Sequence, residues 1–159
     1  MSNNLIGLPQ EGAEQLAAEL NKLLANYQIL YMNVRGFHWN VRGADFFQMH
    51  AKFEEIYNDL ILKVDELAER VLTLGHDPLH AFSDYLSISE IREVKGLSNG
   101  EAAFEQILAA YQLLLQKQRT IISQAADLGD EGTVSLLSDY VSQQEKEVWM
   151  YAAQQGRRV

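Results

Sequence analysis

Four long segments with helical periodicity constrain the fold of this 159-residue chain more than any other feature. Within each segment apolar residues recur every three or four positions, which places them along one face of an α-helix. The chain has only two prolines and ten glycines, a composition typical of all-α proteins. We therefore predict one all-α domain, residues 1–159, with long helices at approximately 9–39, 46–74, 99–128 and 131–153.

The connections between these helices are short, long and short. Short connections join antiparallel neighbours, whereas the long one, residues 75–98, carries the chain back along the bundle. It has room for at most one short helix, around Ser83–Arg92. A four-helix bundle with one long crossover is the ferritin-like arrangement. An apolar content of 47% is sufficient for such a bundle to bury a core.

Helix starts are indicated by residues that suit the first turn. Pro9 is a favourable first-turn residue for the first helix. Asp45 with Gln48, and Ser98 with Glu101, have the spacing of capping boxes, in which two side chains satisfy the free backbone N–H groups of the first turn. These pairs predict the starts of the second and third long helices.

The second helix has one apolar face more than a bundle requires. A rotation of 100° per residue separates three zones around it. The core zone contains Phe46, Met49, Phe53, Ile56, Leu60, Val64, Leu67 and Val71. The charged zone contains Lys52, Glu55, Asp59, Lys63, Glu66 and Arg70. The third zone combines the apolar Phe47, Ile61, Leu62 and Leu72 with His50, Glu54, Asp65 and Glu69. Exposed apolar residues there indicate a subunit interface, and the alternative is a few ordinary exposed aliphatic residues.

Two pairs of metal-ligand residues border this third zone. Asp65 and Glu69, four residues apart, share one helical face, and a short loop brings His38 towards His50. Fifteen residues, about 22 Å along a helix, separate His50 from Asp65, so one chain cannot place all four on one ion. An antiparallel two-fold pairing of second helices would join each histidine pair to the partner's carboxylates and give two equivalent sites. Imidazole and carboxylate with open positions suit Fe(II).

Each pair alone has a plain alternative, because an Asp-x-x-x-Glu pair is typical of a solvated helix face and a single histidine is often structural. The prediction depends on both pairs bordering one surplus face. None of the four histidines has a glutamate three residues before it, so the usual Glu-x-x-His motif of a di-iron centre inside the bundle is missing.

The residues around these ligands resemble the signature of the Dps family, the mini-ferritins. The resemblance covers almost the whole chain and is carried by GFHWNVRG from Gly36, FFQMH from Phe46, KFEEIY from Lys52, DELAER from Asp65, SDY from Ser138 and EKEVWM from Glu145. Four ligand-type residues at the family's spacing make this similarity specific.

The resemblance implies a hollow shell of twelve identical subunits, with ferroxidase centres at two-fold interfaces. His38 and His50 of one subunit would join Asp65 and Glu69 of another. It implies oxidation of Fe(II) by hydrogen peroxide or dioxygen, storage of ferric mineral inside the shell, and protection against oxidative damage. Trp39 matches an aromatic neighbour of the family's site and either intercepts radicals or packs at the interface. Trp149 has the same two possible roles, and packing is the favoured one.

The resemblance also suggests where iron nucleates. Glu54 and Glu55 match acidic positions that some members direct into the cavity, and solvated helix charges are the alternative. His76 and His80 lie in the crossover with no clear ligand partner, so we predict that they are loop residues.

Iron entry is predicted at the turn between the third and fourth long helices, where the family builds acidic three-fold pores. Asp127, Asp130 and Glu131 cluster there. The family pattern is kept only in part, because Ser135 stands where some relatives have an acidic residue. Asp130 could instead be a helix N-cap.

Composition and charge limit the other functions. The chain has no cysteine for disulfides or thiolate ligands, and neither a secretory signal nor an apolar run near the ~20 residues of a membrane span is evident, so we expect a cytoplasmic protein. The net charge of −9 suits attraction of cations.

The main alternative function is DNA compaction. No Lys or Arg precedes Lys22, and the C-terminus offers only Arg157 and Arg158, so we expect weak DNA binding or none. A structural oligomer without metal chemistry would explain the surplus face but not the ligands.

Overall fold

The computed structural model describes residues 2–159, and this part of the chain forms five helices. They are α1 (Gln10–Asn40), α2 (Phe46–Thr73), α3 (Phe82–Ile88), α4 (Gly100–Leu128) and α5 (Glu131–Gln154). Helix α1 packs against α2 and α4, α4 packs against α5, and α3 packs on α1 within the crossover. The predicted four-helix bundle with one long crossover is confirmed. No helix among these residues is long and apolar enough to cross a membrane.

The bundle core consists of the apolar stripes that the helical periodicity predicts. Every core-zone residue of α2 is buried except Phe46, which is partly buried at the start of the helix. Facing them are equally enclosed residues of the other long helices, such as Leu20, Leu30, Ile107 and Leu114. The core zone of the second helix is therefore confirmed.

A closed ring of three side chains fills a polar part of the bundle centre. The Tyr27 hydroxyl donates to Gln118 Oε1, Gln118 Nε2 donates to Gln144 Oε1 at 2.8 Å, and Gln144 Nε2 donates to the Tyr27 hydroxyl at 2.6 Å. All three residues are fully buried. Burial raises the pKa of Tyr27 far above its ordinary value, so the phenol keeps its proton and donates. The ring satisfies its own polar groups and contains no carboxylate or imidazole that could bind iron.

The two predicted capping boxes do not form. Asp45 is the N-cap residue of α2, but its side chain makes no capping hydrogen bond. Helix α4 is capped by Asn99, whose side chain accepts from Ala102 N at 2.9 Å, so Ser98 lies outside the helix. The Ser98 carbonyl instead accepts from Arg42 N at 2.9 Å and ties the end of the crossover to the loop after α1.

The short helix of the crossover ends at Ile88, before the expected Arg92. The reason lies in α1, where Asn26 and Asn33 hold the following segment extended. Their side-chain oxygens accept hydrogen bonds of 3.0 Å from backbone N–H groups within Glu90–Val94. These backbone groups are then satisfied without a helix, which fixes the crossover along the bundle.

Burial raises the pKa of the Glu147 carboxyl in α5, although a hydrogen bond from Gln143 and the charge of Lys63 oppose that shift. A raised pKa in the folded state means that folding favours the protonated form. Stability is therefore lost as pH rises from the ordinary glutamate pKa through the raised folded-state pKa. Above that range the folded protein carries the full free-energy cost of a charged, partly buried carboxylate. Below that range Glu147 is protonated in both states, and none of this cost remains.

We expect Glu147→Gln to raise the thermal midpoint at neutral pH by about 2 °C, because an amide removes the cost of a partly buried charge. The gain should disappear on acidification towards pH 4, which differential scanning calorimetry at several pH values measures. Glu145→Gln is the matched control, since Glu145 and its ion-pair partner Arg119 are half-exposed and such pairs contribute little. A lower midpoint for Glu147→Gln at neutral pH would show that the carboxylate stabilises the fold.

Candidate metal centre

Two histidines meet where α1 and α2 come together. His38 lies in the last turn of α1 and His50 near the start of α2, and their rings stack with centroids 3.7 Å apart. His38 Nδ1 lies 2.7 Å from the carbonyl oxygen of His50, and His50 Nδ1 lies 2.7 Å from the carbonyl oxygen of His38. The carbonyl of His38 is free to accept because carbonyls in the last turn of a helix have no intrahelical partner. The carbonyl of His50 lies near the start of α2 and accepts through a second lone pair.

The reciprocal hydrogen bonds determine which nitrogen of each ring can bind a metal. A carbonyl oxygen only accepts, so Nδ1 of both histidines must carry the proton. In the neutral ring the lone pair is then on Nε2, which remains available as a ligand. A hydrogen bond that fixes tautomer and orientation in this way is typical of metal-binding histidines.

Aromatic side chains hold the two rings in place. Phe46 stacks on His50 with centroids 5.0 Å apart, and Tyr57 packs edge-on against His38 at 5.2 Å. His38 is buried and His50 is half-buried. Because aromatic rings pack on both sides of the pair, the two histidine rings have little freedom to rotate out of their stacked arrangement.

The predicted carboxylate ligands lie elsewhere on the same helix. Asp65 and Glu69 are exposed on α2. Helix α2 is continuous, so the fifteen residues from His50 to Asp65 correspond to about 22 Å. Within residues 2–159 of a single chain, no three His, Asp or Glu side chains group around a point that could hold a metal ion. One chain therefore brings the histidines together and leaves the carboxylates apart from them.

The apolar residues of the third zone are exposed, as predicted for an isolated chain. Phe47 is 84% exposed, Leu62 63%, Leu72 55% and Ile61 38%. Trp39 of α1, next to His38, is also 59% exposed. A set of large apolar side chains on one face, bordered by metal-ligand residues, is characteristic of a contact surface between proteins.

Sequence reasoning missed Arg35, which lies beside the histidine pair. Its guanidinium carbon is 5.2 Å from the ring centroid of Trp39 and 5.3 Å from that of Tyr57. The available signal was the spacing of Tyr31, Arg35 and Trp39, which places a cation between two aromatic residues on one face of α1.

The other predicted acidic residues differ in their surroundings. Glu54 is exposed, and Glu55 is exposed with Lys52 Nζ at 3.1 Å.

The two remaining histidines, His76 and His80, lie between α2 and α3, outside any helix. Their prediction as loop residues is confirmed.

At the turn between α4 and α5, Asp127 and Glu131 are exposed but Asp130 is not. Asp130 is 3% exposed, caps α5 by accepting from Thr133 N at 3.0 Å, and pairs with Arg70 at 2.5 Å. The prediction of Asp130 as a pore residue is wrong, because its carboxylate is enclosed and already paired. Its alternative role as an N-cap is confirmed.

Comparison with known proteins defines the class and then the family. A family model described as a ferritin-like domain matches residues 17–158. The chain is 50% identical over 153 residues to an uncharacterised protein of Haemophilus influenzae, covering 96% of each chain. It is 42% identical over 147 residues to the DNA protection during starvation protein of Porphyromonas gingivalis, covering 92% of each.

The structure superposes on the crystal structure of a DPS protein from Vibrio cholerae O1 with a TM-score of 0.95 and 51% identity, over 97% of both chains. That protein is described as a member of a broad superfamily of ferritin-like diiron-carboxylate proteins. The fold is thus that of a ferritin-like protein. Within this class, the chain belongs to the Dps family.

Proposed function

We propose that this protein is a ferroxidase that stores iron, the repeating subunit of a hollow shell of twelve copies. The observation that carries the proposal is the His38–His50 pair, whose two Nε2 atoms are both left available by the reciprocal hydrogen bonds. It lies on the face that also presents Asp65, Glu69 and the exposed apolar residues of the third zone. Membership of the Dps family supports the same reading.

The centre is shared between two subunits related by a two-fold axis. Antiparallel pairing of two α2 helices buries the apolar residues of both third zones and sets the histidine pair of one copy against Asp65 and Glu69 of the partner subunit. Because a two-fold interface is self-complementary, each dimer has two equivalent centres. The separation of about 22 Å along α2 supports sharing, since it excludes a centre built from one chain.

Iron is the substrate of this centre. Two neutral imidazoles and two carboxylates suit Fe(II) and leave positions open for an oxidant. Each hydrogen peroxide accepts one electron from each of two Fe(II) ions and, with two protons, forms two water molecules and two Fe(III) ions. Using both electrons in this way limits the release of hydroxyl radicals. With dioxygen as the oxidant, the same residues would hold Fe(II) while electrons pass to oxygen.

The remaining acidic residues and Trp39 have roles in the same proposal. Glu131 and Asp127 would line the iron entry pore at the α4–α5 turn, and Glu54 and Glu55 would nucleate ferric mineral on the cavity side. Trp39, exposed beside His38, either packs at the two-fold interface or intercepts radicals formed at the centre.

Anaerobic addition of Fe(II), followed by hydrogen peroxide, tests the function directly. We expect ferric absorbance to rise at about one peroxide per two Fe(II), while light scattering shows particles that keep their size and remain in solution. Protein that leaves oxidation at the rate of buffer alone, or that precipitates ferric hydroxide outside the shell, would contradict the proposal.

We expect the assembled shell to bind DNA weakly or not at all at about 0.15 M salt, because binding requires cations that neutralise phosphates. Each chain carries a net charge of −9. Of the C-terminal pair, Arg157 already contacts Glu105 at 2.9 Å, which leaves Arg158. A gel-shift assay with plasmid measures the binding. Clear condensation that disappears on deletion of residues 157–159 would favour the alternative of a DNA-compacting protein.

A further inference from the structure

Arg35 is a cation held in an aromatic cage that adjoins the histidine pair. Its guanidinium carbon lies 5.2, 5.3 and 5.8 Å from the ring centroids of Trp39, Tyr57 and Tyr31, and Nη1 donates to the Tyr31 hydroxyl. The ring of Tyr57 also packs against His38 at 5.2 Å. The cage and the histidine site therefore share the ring of Tyr57, which contacts the guanidinium of Arg35 and the ring of His38.

The hydrogen-bonding capacity of Arg35 is only partly used within one chain. Its Nε is enclosed and has no hydrogen-bond partner among residues 2–159. None of the ion pairs formed by these residues involves Arg35, although the chain has 22 acidic and 13 basic residues. Aromatic faces attract the charge, but a guanidinium forms its strongest bonds to a carboxylate, through two parallel N–H groups.

Because its own chain encloses Nε, an acceptor from outside can reach only the Nη groups of Arg35, which is partly exposed on the face that is open to a neighbour. Trp39, which covers one side of the guanidinium, is more than half exposed, as are Phe47 and Leu62. On the same chain, Asp65 and Glu69 are exposed, and neither forms an ion pair with another described residue. An unpaired cation and two unpaired carboxylates on one self-complementary face are matched in charge.

We propose that Arg35 is a positioning residue of the shared centre. In the iron-free assembly it pairs with the carboxylates that a second copy of this chain brings to the histidines, Asp65 and Glu69 of the partner subunit. This inference rests on the proposed function, since it requires the two-fold centre. Two carboxylates withdrawn from water repel each other, and the guanidinium offsets that repulsion until iron arrives. Fe(II) and Arg35 then compete for the same oxygens, so Arg35 stabilises the empty interface and weakens metal binding.

Variants of Arg35 separate this role from simple packing. We expect Arg35→Gln to bind Co(II), a spectroscopic substitute for Fe(II), about three- to tenfold more tightly than the wild type at low salt. The difference should shrink at high salt, where exposed charges are screened. The metal-free assembly of Arg35→Gln should melt at a lower temperature, while the metal-loaded assembly should be little changed. Arg35→Lys, which keeps the charge, should stay near the wild type in both measurements.

Visible absorbance during a Co(II) titration gives the affinity, and calorimetry gives the two melting temperatures. If Arg35 only packs in its aromatic cage, Arg35→Gln will destabilise the empty and loaded assemblies alike and will not tighten binding, which would refute the inference. Should pure Arg35→Gln fail to assemble, shells diluted with wild-type subunits provide the measurement, and the fraction of tighter sites should equal the share of variant subunits. Wild-type protein that binds no Co(II) would refute the proposed function itself.

Discussion

Shells of the His50→Ala variant are expected to oxidise Fe(II) about 10- to 100-fold more slowly than the wild type, because losses of this size follow even the removal of groups that only support a ligand. Asp65→Ala should lose a similar factor, although Asp65 lies about 22 Å along α2 from His50. Stopped-flow ferric absorbance after Fe(II) loading measures both rates. The matched control is His80→Ala, which removes an exposed crossover histidine and should leave the rate unchanged.

Mixing the two variants should restore activity that neither has alone. When dissociated His50→Ala and Asp65→Ala subunits reassemble in equal amounts, half of the random two-fold pairs contain one of each. Such a pair has one centre with both residues intact and one that lacks both, so about a quarter of all centres should work. Wild-type subunits taken through the same cycle correct for losses on reassembly. Mixed shells that recover nothing, while reassembled wild type is active, would contradict a shared centre.

The second large effect is expected from Leu62→Glu, which should break the shell into smaller species. Leu62 is 63% exposed in the isolated chain, so a glutamate there does not disturb the core of the bundle. At a two-fold interface the same change buries two unpaired carboxylates, each at a cost of several kcal/mol. Sedimentation velocity should show the loss of the shell, and circular dichroism should show unchanged helix content.

Leu5→Glu is the matched control for this experiment, because Leu5 is fully exposed and lies outside the third zone. It should leave the assembly at the size of the wild type. If Leu62→Glu also assembled normally, the exposed apolar residues of α2 would not form the interface, and the shared centre would lose its structural basis.

Local sequence patterns were sufficient to predict the four long helices and the exposed face of α2. Apolar spacing and chain breakers act over a few residues, so the core and the third zone can be derived from the order of residues alone. The choice between two neighbouring capping residues does not follow from local patterns. Ser98 and Asn99 are both suitable capping residues, and the structure selects Asn99, while the Ser98 carbonyl bonds to Arg42.

Features that depend on contacts distant in sequence could not be predicted in this way. Asp130 pairs with Arg70, sixty residues away, which removes it from the surface and from the predicted pore. Helix α3 ends early because of Asn26, more than sixty residues before the segment that it binds. The spacing of apolar residues along the sequence does not identify hydrogen-bond or ion-pair partners that lie far apart in the chain.

The ligand residues of the centre were predicted from spacing and from the resemblance, but their geometry was not. The stacked rings and reciprocal hydrogen bonds of His38 and His50 depend on the angle at which α1 and α2 meet. The role of Arg35 depends on three aromatic rings from two helices. How the carboxylates meet the histidines depends on a second subunit, which one chain does not contain.

A crystal structure of the assembled protein with Co(II) bound, and the metal located by its anomalous scattering, tests the shared centre most directly. We expect one metal position for each chain, between Nε2 of His38 and His50 and the carboxylate oxygens of Asp65 and Glu69 from the partner subunit, at the roughly 2.0–2.2 Å typical of such ligands. A metal bound by ligands from one chain alone, or located away from the two-fold interface, would contradict the shared centre.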